Sequence, residues 1–213
     1  VETAQALDLA FLADWEFIGS VGDYKHKQAC VMSAAVAAVR VARGIDMNGA
    51  TDELECVDPA VRKLCIVRND QTKSATDRKA WALAMIPRIV GTKNKALERK
   101  RAECIARYAA RVIAAEAMDS AKLPEEAEKL RALGDDAPMS AVRAVASEAR
   151  DSAYNAAAVD AYAAAAAAVD AAADAAADAA VAAVVDAVAA ARRTAVRLAH
   201  FDAMIEACLA ITA

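Results

Sequence analysis

Between Ala153 and Ala191 close to two-thirds of the residues are alanine, and neither glycine nor proline occurs anywhere after Pro138. Alanine has the highest helix propensity of any residue, and nothing in this stretch breaks a helix. The spacing predicts one very long helix, or two abutting ones, over roughly 70 residues from Ser140 to Ala213. A single rod of that length would be about 105 Å long at 1.5 Å per residue. It must fold back or be covered by another chain.

The bulkier apolar residues give this rod a direction. At about 100° per residue, Val159, Tyr162, Val169, Val181, Val184, Val185 and Val188 form one stripe. Leu198, Phe201, Ile205 and Cys208 lie about a third of a turn away, so a kink or break is expected near 189–196, beside Arg192, Arg193 and Arg197. Alanine faces let helix axes approach closely, yet each methyl buries little area. The stripe therefore needs a long partner. No matching one is evident in the rest of the chain, which predicts a homo-oligomer. Asp160, Asp170, Asp174, Asp178 and Asp186 line one flank, and their simplest role is to solvate the rod. They also exclude a membrane span, because each aspartate at mid-span costs about 2.5–3.5 kcal/mol.

Aromatic residues make up only 4% of the chain, so any core is built from Ala, Val, Leu, Ile and Met. Five cysteines, an odd number without paired spacing, suit free thiols in a reducing compartment. No basic flank followed by an apolar segment marks a secretory signal, and a cytoplasmic location is expected. Charge is uneven: residues 1–57 carry 4 basic and 9 acidic groups, 58–118 carry 14 and 6, and 119–213 carry 8 and 15. A basic middle between acidic ends suits either a polyanion surface or pairing within the protein.

In chain order, Leu7, Phe11, Trp15 and Ile18 recur at helical spacing, which predicts a first helix capped by Thr3. A second is expected over Tyr24–Arg43, with Asp23 as its cap. Asp58-Pro59 starts a third that ends near Asn69. A fourth runs from Thr76 or Asp77 to just before Pro87, a fifth spans Lys93–Met118, and a sixth runs from Pro124 to Leu133. No strand signal is evident. Gly134–Pro138 is the clearest hinge, dividing a compact bundle, 1–134, from an alanine-rich part, 135–213.

Residues able to carry chemistry are few. His26 and Cys30, four apart on the expected second helix, could form half of a zinc site with Cys56 and Cys65. The CxxC or HxxxH spacing that makes such sites recognisable is missing. Neither a metal nor a cofactor is expected, and no catalytic residue is assigned. The more substantial feature is a basic segment, Arg88, Lys93, Lys95, Arg99, Lys100, Arg101 and Arg107, able to neutralise phosphates of a nucleic acid or nucleotide. It lacks aromatic residues to stack on bases, and the acidic alanine helix is a competing partner for it.

The segments FIGSVGD (17–23), ACVMSA (29–34), CVDPAVR (56–62), IPRIVGT (86–92) and ERKRAECIA (98–106) together resemble a helical module of uncharacterised alanine-rich proteins from GC-rich bacteria and their phages. The resemblance covers about residues 11–133 and implies a helical fold, with no activity or site residue. The resulting expectation is an all-α protein: a bundle of about six helices followed by a very long alanine-rich helix. Its expected role is that of a non-enzymatic interaction or oligomerisation protein, with the resemblance pointing to a phage origin, and binding of an anionic ligand through 88–111 is the alternative.

Overall fold

A computed structural model describes residues 7–156, 158–173 and 194–212. Two compact units make up the chain, Val1–Asn94 and Lys95–Ala213. The structure is mostly helical, and among the described residues no helix is long and apolar enough to cross a membrane.

The first unit departs from the expected pair of opening helices. Residues 10–12 form a single 3-10 turn, after which β1 (Glu16–Phe17) pairs in parallel with β2 (Gln28–Ala29). The reason is tertiary. Trp15 packs edge-on against Phe11 and tilts against Tyr24. The carbonyls of Ala13 and Trp15 accept hydrogen bonds from Lys79, and that of Phe17 from Arg78, so long side chains replace the helical ladder. Gly22 makes the return possible: its φ is +89°, and a Cβ there would lie 2.3 Å from the Gln28 carbonyl oxygen.

The helix expected from Tyr24 therefore starts later, as α1 (Val31–Ala42). Tyr24–His26 form a 3-10 turn, and Lys27 adopts a left-handed conformation that stops it. Cys30 is the actual cap: its thiol accepts from the Ser33 amide at 3.3 Å, while the Ser33 hydroxyl accepts from the Cys30 amide at 2.9 Å. α2 (Pro59–Gln71) begins where Asp58-Pro59 predicts, with the Asp58 carboxylate accepting from the Ala60 and Val61 amides. α3 (Ala75–Ile89) is capped by Ser74 and continues two residues past Pro87, because the proline falls in its last turn. The core runs through Leu12, Phe17, Met32, Leu64 and Ile86.

In the second unit a helical run of about 26 residues is the longest among the described residues. It comprises α4 (Lys95–Tyr108), a π-helical stretch (Ala109–Ala114) and α5 (Ala115–Ser120). α6 (Pro124–Arg131) follows. The Gly134–Pro138 turn, expected to separate subdomains, lies inside this unit: Arg107 Nε donates to the Ala137 carbonyl at 2.9 Å, and Arg111 pairs with Asp135.

The single alanine rod is not what forms. α7 (Met139–Asn155) ends at its cap, Ala156, and α8 (Val159–Ala173) packs back along it as a helical hairpin. The Ala158 amide closes the end of α7 on the Ala153 carbonyl at 2.9 Å, the long bond of a Schellman-type stop, which usually involves glycine. Val142, Ala146, Ala149 and Ala153 of α7 and Ala161, Ala164, Ala165, Ala168 and Ala172 of α8 are buried at helical spacing. α8 also packs on α4, the π stretch and α5. The long companion surface expected from another chain is thus supplied, for the described part of the alanine run, by the same unit. α9 (Thr194–Ala210) closes the chain through Phe201, Met204, Ile205 and Cys208. The kink expected at 189–196 falls mostly outside the described residues.

Candidate functional site

The basic segment is divided between the two units. Arg88 and Lys93 are exposed on the first unit, whereas Lys95, Arg99, Lys100, Arg101 and Arg107 belong to the second. Arg101 is buried, and its Nε donates to the Cys208 carbonyl at 3.2 Å. Arg107 is held by the Ala137 carbonyl and the Glu103 carboxylate. Glu103 also takes Arg99 at 3.1 Å. What α4 leaves accessible is one basic turn, Lys95, Arg99 and Lys100, with the Arg99 side chain 75% exposed. Arg101 and Arg107 were indistinguishable from these by sequence, since only burial separates a structural guanidinium from a binding one.

His26 and Cys30 are not brought together. The imidazole is exposed and donates through Nδ1 to Asp23 at 2.9 Å, whereas Cys30 is buried as a helix cap. The Lys25 amide and then the His26 ring hold the Asp23 carboxyl below its ordinary pKa. Burial pushes the Cys30 thiol up, away from the thiolate that a nucleophile or metal ligand needs. Among the described residues no group of three His, Cys, Asp or Glu side chains could hold a metal ion.

One arrangement was not legible from spacing. Tyr108, at the end of α4, lies 3.1 Å from Nδ1 of His200 in α9, and Nε2 of His200 lies 3.1 Å from Glu116 in α5. On a regular α-helix Tyr108 and Glu116 would be about 80° apart. The wider π turns between them bring both to one side chain. With the carboxylate taking the Nε2 proton, Nδ1 accepts the Tyr108 hydroxyl. The order phenol, imidazole, carboxylate matches that of an activated nucleophile. However, His200 is buried, and burial, followed by the Glu116 charge, raises the Tyr108 pKa rather than lowering it. The trio therefore acts as a clasp holding α9 to the π stretch.

A groove of about 420 Å³ opens on the first unit, lined by Val36, Val39, Arg40, Arg43, Leu54 and Cys56 among others. Arg40 spends one amino group on the Asn48 and Gly49 carbonyls. Glu53 and Glu55 balance the two arginines, so the groove favours neither charge sign.

The alanine hairpin carries the remaining feature. Of the stripe expected to mediate association, Val169 is buried, Val159 and Tyr162 are 76% and 40% exposed, and Val181, Val184, Val185 and Val188 lie outside the described residues. In α8 the buried face is mostly alanine, centred on the side opposite Val159. The exposed pair is joined by Tyr154, 72% exposed at the end of α7, whose ring centroid lies 6.0 Å from that of Tyr162. Three large apolar side chains thus face solvent around one turn. No protein-family model, curated protein or solved structure matches this chain.

Proposed function

We propose that this chain is a non-enzymatic helical interaction protein that self-associates. The observation that carries the reading is the exposed trio Tyr154, Val159 and Tyr162, in a unit whose other described large apolar side chains are mostly covered. The chemistry-bearing candidates point the same way. His26 is solvated, Cys30 caps a helix, and the Tyr108–His200–Glu116 trio serves packing. Sedimentation over a wide range of protein concentration tests the reading. The expected result is a mass that rises above the 22.2 kDa of one chain, and a constant single-chain mass overturns it.

The exposure of Lys95, Arg99 and Lys100 on one turn of α4 favours a second reading, binding of a polyanion such as nucleic acid. Affinity for an oligonucleotide that falls steeply with salt and is lost in Lys95→Glu/Lys100→Glu would support it. Affinity unchanged by that reversal would remove it.

A further inference from the structure

We propose that the basic turn of α4 in one copy docks on the end of the α7–α8 hairpin in a second copy, giving head-to-tail association. The inference rests on the self-association reading and names the two surfaces that meet.

Two exposed features of the second unit are complementary, although each also makes an ion pair within the chain, Arg99 with Glu103 and Asp151 with Arg150. At the hairpin end the Tyr154 and Tyr162 rings stand together, tilted by 54°, with Val159 beside them. The carboxylates of Asp151, Asp160 and Asp170 are exposed along the same two helices. Aromatic faces edged by carboxylates attract cationic side chains, because the ring quadrupole and the negative charges act in the same sense. One cation is already held there: Arg150 pairs with Asp151 at 2.9 Å, and the Asp151 carboxylate, with a smaller effect of the Asp170 charge, raises its pKa. An anionic partner would instead be repelled by the carboxylates.

The basic turn supplies the matching half. Lys95, Arg99 and Lys100 project three cations within six residues, on long aliphatic stems able to lie on the tyrosine rings while their heads reach the aspartates. The two surfaces are different patches of one chain, so the contact is heterologous and each copy retains one unused half.

That asymmetry gives the test. Tyr154→Ser/Val159→Ser removes the hairpin surface and Lys95→Glu/Lys100→Glu removes the basic one; all four positions are exposed, and circular dichroism checks that both variants fold. Each variant alone should sediment as a single chain under conditions where the wild type associates. Mixed together they should form a one-to-one dimer, because the first keeps an intact basic turn and the second an intact hairpin end. Wild-type association should weaken with added salt. A single-chain mass for the wild type at all concentrations overturns this proposal and the self-association reading together. An associating wild type whose variants keep its mass, or whose variants stay monomeric when mixed, overturns only the docking surfaces named here.

Discussion

Arg101 in α4 and Cys208 in α9 bind each other's backbone: the guanidinium Nε donates to the Cys208 carbonyl at 3.2 Å, and the Cys208 thiol reaches back to the Arg101 carbonyl at 4.0 Å. The guanidinium also reaches the Ile211 carbonyl. A charge is thus buried to fix the end of the chain. Its removal takes a charge-assisted hydrogen bond from the Cys208 carbonyl, which keeps the Ile211 amide at 3.3 Å. Arg101→Met should destabilise the second unit by about 2–3 kcal/mol. Arg99→Gln, two residues away but solvent-exposed, should change stability by less than about 0.5 kcal/mol. Urea denaturation of both variants checks the contrast.

Gly22 and Gly44 both have positive φ but differ in their surroundings. A Cβ at Gly22 meets the Gln28 carbonyl oxygen at 2.3 Å and Ala29 Cα at 2.8 Å, whereas one at Gly44 meets nothing within 4 Å. Gly44→Ala should therefore cost about 1 kcal/mol, the backbone preference alone. Gly22→Ala should cost more than about 2 kcal/mol, since backbone must move as well. Thermal melts rank the two.

Arg78 donates to three carbonyls, those of Phe17, Asn69 and Thr72. It joins the loop before α3 to β1 with a fork that a lysine ammonium cannot reproduce. Arg78→Lys should destabilise the first unit by about 2 kcal/mol or more. Amide exchange at Glu16–Ile18 should quicken more than exchange within α1. Equal effects on both would show that the arginine does not specifically hold the strand.

Burial pushes the Tyr24 pKa up from 10.0 to about 12, and its hydroxyl donates to the Ser33 carbonyl at 2.6 Å. The folded state therefore keeps a proton that the unfolded chain loses at about pH 10. The stabilising effect is complete below that pH and is lost as pH rises toward about 12. Denaturation midpoints should fall across this window, and less so in Tyr24→Phe. Equal slopes in the two proteins would rule out Tyr24 as the cause.

Asp70 moves the other way from Asp14 and Asp23: burial raises its pKa, opposed by the Asn69 hydrogen bond and the Arg78 charge. Folding binds the extra proton, so the Asp70 contribution becomes less favourable as pH rises through the raised value. Asp70→Asn should be more stable than the wild type at neutral pH, with the difference shrinking in acid. A wild type more stable than the variant at neutral pH would contradict this sign.

Signals that act over a few residues were legible in the sequence. Asp58-Pro59 starts α2 and Pro124 starts α6, because capping and a fixed φ operate within one turn. The predominance of helix followed from alanine content and periodicity. Only tertiary structure could decide the rest. Leu7 to Ile18 has helical spacing, but Arg78 and Lys79 satisfy its carbonyls from another helix and hold part of it as strand. The alanine run lacks any stop residue, yet α8 turns back along α7 because burying two rows of methyl groups against each other outweighs continuing the rod. Arg101 and Lys100 are neighbours of like charge in the sequence, and one became a buried clasp and the other a surface cation. Composition fixes what a segment can form locally, but which side chains remain for a partner depends on what the folded chain has already covered.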